Sequence, residues 1–243
     1  MRLARAETDL LFPANRKLAA FARTLDVSLD EGKRLEGLLE EREGVCLYLL
    51  ARRAATVGNV VEIGAFKGRS TWYLARALED EASPYRVVSI DPHLSGSAED
   101  YRQTIERTGI ASRVDARTAF SYDLVEGFDE PIGLLWIDGD HSYEAVRTDF
   151  EQWFPLLAVG GVVAFHDTVG QRIGPTRVVR RMLGRDDVVE VGVMGMITFA
   201  RKVAPRPQNR LRALAGRTGF ELVALLWRLR GTRATTTDEA GLP

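Results

Sequence analysis

The sequence predicts one α/β domain built around a doubly wound, mostly parallel sheet. Short apolar segments, which are the strand candidates, alternate along the chain with segments whose apolar residues recur at helical spacing. The fourth strand candidate, residues 131–138, is apolar almost throughout, as expected of a parallel strand that is buried on both faces. Two later segments, 188–193 and 196–200, surround Gly195 and predict an antiparallel hairpin that closes the sheet.

The length of the chain suits one such domain with additions at both ends. It has 243 residues, of which 45% are hydrophobic and 28% are charged, enough for a sizeable core. We divide it into a helical N-terminal cap (1–57), a ligand-binding core (58–203) and a basic amphipathic C-terminal helix with a loose tail (204–243). Within the cap, Ser28 followed by Glu31 matches a capping box and predicts the start of a helix.

Charge and cysteine content exclude several classes of protein. The formal net charge of -1 gives no general attraction to nucleic acid, so no nucleic-acid partner is expected. The single cysteine, Cys46, excludes an intrachain disulfide framework, and its apolar neighbours indicate a core position. The sequence shows neither an apolar run long enough to span a bilayer nor a signal-peptide pattern, so we expect a cytoplasmic protein.

The chain is organised around residues 59–78, which combine a short strand, a glycine turn and a helix. Gly64 marks a sharp bend or a close approach to a ligand, and Gly68 marks the start of the helix. The spacing of these glycines differs from that of the dinucleotide fingerprint. Glu62 at the strand end would repel a pyrophosphate but suits a ligand that carries an ammonium group. The remaining binding candidates in the turn are Ala65, Phe66 and Ser70.

Further binding candidates follow the second and third strand candidates. Asp91, with Pro92 after it, ends the second strand, where a carboxylate is placed to accept hydrogen bonds from a ribose. Phe120 follows the third strand at the same edge of the sheet, where it either stacks on an adenine ring or packs in the core. A ribose-binding acid is shared by several nucleotide-binding classes and does not by itself distinguish them.

The reacting groups are predicted at the ends of the fourth and fifth strands. Asp138 and Asp167 are expected to meet there and to share either a proton or a cation, and we favour a divalent metal. His166 is the candidate third metal ligand, or else a histidine bonded to the backbone. His141 is the candidate base that takes a proton from a hydroxyl, while Asp140 is a second candidate base or orients His141.

Four segments together resemble class I S-adenosylmethionine-dependent methyltransferases, in particular the family containing the macrolide-sugar O-methyltransferases, with catechol O-methyltransferase as a more distant relative. They are residues 62–70, 90–93, 137–143 and 160–167, and the resemblance covers about residues 40–200. It implies a Rossmann-like fold in which Glu62, Gly64 and Ser70 hold the methionine end of S-adenosylmethionine and Asp91 holds its ribose. It also implies that Asp138 and Asp167 bind a metal such as magnesium or manganese.

The resemblance implies an enzyme that methylates a hydroxyl of a small molecule, such as a sugar or a phenol. In the catechol enzymes an acid pair and a lysine base stand at the places of His166-Asp167 and His141. The open alternatives are a non-catalytic S-adenosylmethionine-binding protein and an NAD-linked oxidoreductase. The acceptor pocket is expected from the N-terminal helices, the 169–175 loop and three aromatic residues that also suit the core, Trp72, Tyr122 and Tyr143.

The C-terminal segment alternates leucines with arginines from Pro205 onward. We interpret it as a helix that packs on its own domain or on a second subunit of a homo-oligomer, or that lies on a membrane surface.

Overall fold

The structure is a computed structural model that describes residues 12–170 and 173–231. Parts of the predicted N-terminal cap and C-terminal tail, and two residues of the predicted 169–175 loop, lie outside the described residues.

Seven strands of the described chain form a single sheet in the order β3-β2-β1-β4-β5-β7-β6. The first five strands are parallel, and β7 pairs antiparallel with both β5 and β6. The predicted mostly parallel sheet with a closing hairpin is therefore confirmed. The strands are β1 (Asn59–Ile63), β2 (Val87–Ile90), β3 (Val114–Arg117), β4 (Ile132–Ile137), β5 (Leu157–Phe165), β6 (Val188–Met194) and β7 (Ile197–Lys202).

Helices precede the sheet, connect its parallel strands and follow its last strand. They are α1 (Pro13–Arg23), α2 (Asp30–Arg34), α3 (Glu41–Ala54), α4 (Arg69–Asp80), α5 (Ala98–Arg107), α6 (Tyr143–Trp153), α7 (Ile173–Met182) and α8 (Pro207–Gly231). Among the described residues, no helix combines the length and the apolar character that crossing a bilayer requires.

The capping box predicted from the sequence is at the wrong place. Ser28 bonds with Asp30, and α2 begins one residue after Leu29 with no side-chain cap. The capping box forms instead at the start of α3, where Glu40 and Glu43 exchange side-chain and backbone hydrogen bonds. A capping box usually begins with serine or threonine. Here it begins with a glutamate, so the sequence pattern did not predict this helix start.

Alternating residues of the sheet build a core on each face. Val60 and Leu134 pack with α3 and α4 on one face, while Val61 and Leu135 pack with α6 and α7 on the other. This alternation follows from the two-residue period of a strand. Helices on both faces therefore cover the sheet and leave its carboxyl edge as the place where polar side chains gather.

The parallel strands end level with one another. Ile63 lies opposite both Ile90 and Ile137, and Ile137 lies opposite Phe165. Because the next residue of each strand then emerges at the same edge, Gly64, Asp91, Asp138 and His166 are neighbours there.

Candidate active site

The glycine turn after β1 is shaped by the turn after β4. Gly64 has a φ of 90°, and its amide donates to the carbonyl of Ile90 at 2.9 Å. A Cβ at this position would collide with the backbone carbonyl of Asp138. Gly64 therefore approaches the backbone of Asp138 closely, which brings Asp138 beside the turn, and the predicted approach of a ligand to Gly64 stays a prediction.

Asp91, which directly follows β2, stabilises the same turn through hydrogen bonds. One carboxylate oxygen accepts the amides of Ala65 and Phe66, both at 2.8 Å, and the other accepts the amide of His93 at 2.6 Å. Phe66 has a φ of 47°, a conformation that costs a non-glycine residue free energy and that these bonds help to hold. The ribose-binding role of Asp91 stays a prediction, and its structural role is to hold the turn.

Glu62 lies beneath the turn and is fully buried. Its Oε2 accepts hydrogen bonds from the hydroxyls of Thr71 at 2.6 Å and Ser89 at 2.7 Å. Its Oε1 accepts none from the described residues. Burial raises the pKa of this carboxyl to about 7, against the effect of the neighbouring hydroxyls. A buried carboxylate oxygen without a donor suits the ammonium group that the sequence predicts here, and that role stays a prediction.

The remaining binding candidates are divided between the core and the edge of the sheet. Gly68 caps α4 with a φ of 86°, and Ser70 is buried in the first turn of that helix. Phe120 is 40% exposed at the edge of the sheet, and one face of its ring stacks on Tyr122 with ring centroids 5.1 Å apart. Pro92 is half-buried beside Asp91.

Two of the three aromatics suggested for the acceptor pocket lie toward the surface. Trp72 is only 3% exposed and packs edge-on against Tyr73, which makes it a core residue. Tyr122 is exposed, and Tyr143 lies under the guanidinium of Arg177 at 4.2 Å.

Asp138, His141 and Asp167 come together at the ends of β4 and β5. Each offers one ligand atom, and these atoms lie within 4.8 Å of one another. His141 Nε2 is 2.8 Å from Asp167 Oδ2, so Asp167, rather than Asp140, is the carboxylate that contacts this ring. Asp167 has a φ of 51°, an unfavourable backbone conformation that directs its carboxylate within the cluster. Asp140 instead accepts the backbone amide of Ser142, which lowers its pKa.

His166 is buried behind the cluster and is engaged on both ring nitrogens. Nδ1 lies 3.2 Å from Asp138 Oδ1, and Nε2 lies 3.3 Å from Glu43 Oε2. Burial opposes a charge on this ring, but the carboxylates of Asp138 and Glu43 outweigh it and raise the pKa of His166 to about 11. The nitrogen of the three-residue cluster comes from His141, and the role of His166 as a metal ligand stays a prediction.

Sequence reasoning missed Glu43. This carboxylate comes from α3, is fully buried, and also accepts the amide of Met196 at 2.7 Å. It therefore joins the N-terminal helices to the acid cluster and to the β6–β7 turn. The only signal in the sequence was its position two residues before the apolar run 45–51.

Comparisons with known proteins agree with this arrangement. Residues 61–168, from β1 to the end of the cluster, match the family described as "Methyltransferase domain". The chain has a class I S-adenosylmethionine-dependent methyltransferase domain. The methyltransferase domain therefore contains both the glycine turn and the acid and histidine cluster.

Two relatives and one solved structure illustrate the range of similarity. An uncharacterized protein of Acanthamoeba polyphaga mimivirus is 30% identical over 122 residues, and the match spans 47% of this chain and 53% of that protein. The catechol O-methyltransferase of Niastella koreensis is 29% identical over 170 residues, which is 67% of each chain. The chain thus spans about half to two thirds of these relatives.

The solved structure is that of the O-methyltransferase TomG from Streptomyces achromogenes in complex with S-adenosylmethionine. It is 24% identical, with a TM-score of 0.53, and the match covers 83% of this chain and 92% of that one. At this identity it shows a shared fold.

The residues of the methyltransferase domain fit both groups that the fold implies. For S-adenosylmethionine, the turn offers the donor-free Oε1 of Glu62 and, further along the edge, the exposed ring of Phe120. For a divalent cation, Asp138, Asp167 and His141 supply two carboxylates and one imidazole nitrogen, a donor set that suits manganese, iron or zinc as well as magnesium.

Proposed function

We propose that this methyltransferase domain transfers the methyl group of S-adenosylmethionine to a hydroxyl of a small molecule, such as a sugar or a phenol. The observation that supports O-methyl transfer is the contact between His141 and Asp167 beside Asp138. A histidine held by a carboxylate next to a second carboxylate is an arrangement for taking a proton from a hydroxyl. The name of the Niastella koreensis relative agrees with this proposal.

Asp167 and His141 divide the work of proton removal. Asp167 contacts Nε2 of His141 at 2.8 Å and so fixes the orientation of the ring. The other ring nitrogen, Nδ1, is then the atom that takes the hydroxyl proton. The bond from the acceptor oxygen to the methyl carbon forms as the carbon–sulfur bond breaks, which gives a methyl ether and S-adenosylhomocysteine. Holding these atoms in line supplies much of the rate.

Asp138 and Asp167 would hold a divalent metal beside His141, which keeps Nδ1 for the hydroxyl proton. When bound there, a metal supplies a positive charge that lowers the pKa of a hydroxyl and lightens the task of the base. His166 and Glu43 act behind Asp138, because His166 contacts it at 3.2 Å and is itself held by Glu43. They keep the carboxylate of Asp138 directed at the edge of the sheet.

Titration calorimetry with S-adenosylhomocysteine, with and without manganese, tests this proposal. We expect the wild-type chain to bind the product and to give a metal signal that Asp167→Ala removes. Asp129→Ala is the control, because Asp129 is an exposed acid just before β4, at the opposite edge of the sheet. Failure of the wild type to bind S-adenosylhomocysteine would overturn the proposal, and binding without any metal signal would remove the metal from it.

Turnover of a panel of hydroxyl acceptors tests the base. We expect His141→Ala to lower kcat by a factor of about 100 to 10,000 while product binding is retained. Methyl transfer to amines but to no hydroxyl would contradict the assignment of the acceptor. The closing antiparallel pair and the family match favour methyl transfer over an NAD-linked reaction.

A further inference from the structure

The C-terminal helix α8 (Pro207–Gly231) lies along the edge strand β6. Its inner face consists of Ala213, Phe220, Val223 and Ala224, none of which is more than 3% exposed. Gly216 allows a close approach there, since a Cβ would lie 2.7 Å from Cγ2 of Val191. This face accounts for the packing of the helix on its own domain, which was one of the alternatives for this segment.

The same helix has a second apolar face that its own domain does not cover. Leucines whose exposed fractions run from 39% to 72% line it, namely Leu211, Leu214, Leu222, Leu225 and Leu226. At roughly 100° per residue, these positions form one stripe on the side opposite the buried face. A surface helix needs only one apolar face to pack on its domain, so the outer stripe requires a second partner.

Arginines border the leucine stripe on both sides. Arg212 lies at one border, and Arg210 and Arg217 lie at the other, all three exposed. From Arg206 to Arg230 the sequence contains six arginines and one acid, Glu221, although the whole chain has a net charge of -1. The guanidinium of Arg180 already binds Glu221 through two hydrogen bonds of 2.7 Å. The outer side of the helix is therefore strongly basic.

This charge distribution decides between the two partners that an apolar stripe suits. A second copy packed through the same stripe would bring arginine borders against arginine borders, with no carboxylate of the stripe to neutralise them. An anionic lipid surface accepts leucines below its headgroups and pairs each arginine with a phosphate. We propose that α8 docks the methyltransferase domain on an anionic membrane surface through this leucine stripe and its arginine borders.

Vesicle flotation of the full chain tests this proposal. We expect the wild type to bind vesicles made of phosphatidylglycerol and phosphatidylcholine, and to dissociate from these vesicles as the salt concentration rises. Vesicles of pure phosphatidylcholine should bind it only weakly. Arg212→Gln with Arg217→Gln should weaken binding roughly 30-fold, since each cation near such a surface contributes about fivefold. Leu222→Ser with Leu225→Ser, which leaves the charge unchanged, should weaken it at least about tenfold.

Matched controls separate docking from charge and from folding. Arg102→Gln with Arg147→Gln makes the same change of charge on α5 and α6 and should leave vesicle binding unchanged. Every variant should bind S-adenosylhomocysteine as the wild type does, because none of these residues is in the candidate active site. Lack of wild-type binding to anionic vesicles, or undiminished binding by both α8 variants, would overturn the proposal. The proposal would also be overturned if the wild type is a dimer and the variant Leu222→Ser with Leu225→Ser is a monomer.

Discussion

At the residue scale, Glu62 is the group that we expect to link ligand binding to pH. Its pKa is raised to about 7 by burial, so the carboxyl is mostly protonated at pH 6 and mostly ionised at pH 8. An ammonium group binds the ionised form. We therefore expect the affinity for S-adenosylhomocysteine to rise roughly tenfold from pH 6 to pH 8, as measured by calorimetry at both values.

Glu62→Gln should remove this pH dependence, because the amide does not titrate. Glu79→Gln on the exposed side of α4 is the control and should keep the wild-type slope. If Glu62→Gln kept the wild-type pH dependence of the affinity, another group would be responsible for that dependence.

Glu43 has no proposed contact with a ligand, but its replacement should lower the stability of the fold. Burial disfavours its ionised form, but His166 and the backbone amides lower its pKa, so both members of the pair are charged in the core. Glu43→Gln leaves the imidazolium with less compensation, and we expect the free energy of unfolding to fall by about 3 kcal/mol in urea denaturation.

Glu41→Gln is the matched control on the same helix. Glu41 makes an ion pair with Lys33 at 2.9 Å, and 59% of its side chain is exposed. Its replacement should change stability by less than about 1 kcal/mol. Similar losses of unfolding free energy in the two variants would show that the contact between Glu43 and His166 stabilises the fold no more than an exposed ion pair does.

These residues also show what the sequence reveals about the candidate site. The meeting of Asp138 and Asp167 was predictable because parallel strands end at one edge of a sheet. The contact of His166 with Glu43 was not, because the two are 123 residues apart and the glutamate comes from a helix before the first strand. Strand periodicity specifies which residues reach an edge, whereas it does not specify which helix packs behind them.

At the scale of elements, the strands were easier to predict than the helix starts. The fourth strand was predicted over 131–138 and runs from Ile132 to Ile137. The fifth was predicted over 162–165 but begins at Leu157, because Leu157 already pairs with Ile132, before a register shift that precedes the next pair, Leu134 and Val162. Apolar runs thus mark the buried centre of a strand, while the ends depend on pairing with a neighbour.

The turn between β1 and α4 depends on Gly64 for two separate reasons. Its φ of 90° and the collision of an added Cβ with the carbonyl of Asp138 both oppose alanine. We expect Gly64→Ala to lower the free energy of unfolding by at least about 3 kcal/mol and to abolish binding of S-adenosylhomocysteine.

Gly109→Ala distinguishes these two reasons. Gly109 also has a positive φ, 74°, but nothing lies within 4 Å of an added Cβ. Its replacement should cost about 1 kcal/mol, the conformational part alone. If Gly64→Ala lowered the free energy of unfolding by the same amount, the loop after β4 would have to shift and make room for the new methyl group. Urea denaturation of both variants provides the comparison.

At the scale of the whole molecule, the N-terminal helices belong to the core of the domain. The segment from Cys46 to Leu50 in α3 is fully buried, and its side chains pack with Leu74 of α4 and Val60 of β1. Asn15 of α1 reaches the last part of the sheet, where it donates to the carbonyl of Val193 at 2.7 Å. The division at residue 57 is a boundary in sequence, and contacts cross it on one face of the sheet.

Cys46 makes the cooperativity of this arrangement measurable. It is the single cysteine of the chain and is 0% exposed, and burial raises the pKa of its thiol, so it is protected in the folded state. If α3 unfolds only with the sheet, thiol labelling in urea should rise with the same midpoint as the loss of circular dichroism. Labelling at clearly lower urea would show that the N-terminal helices open as a separate unit. Because Glu43 lies on the same helix, such opening would also release His166, and the candidate active site would lose its support before the sheet unfolds.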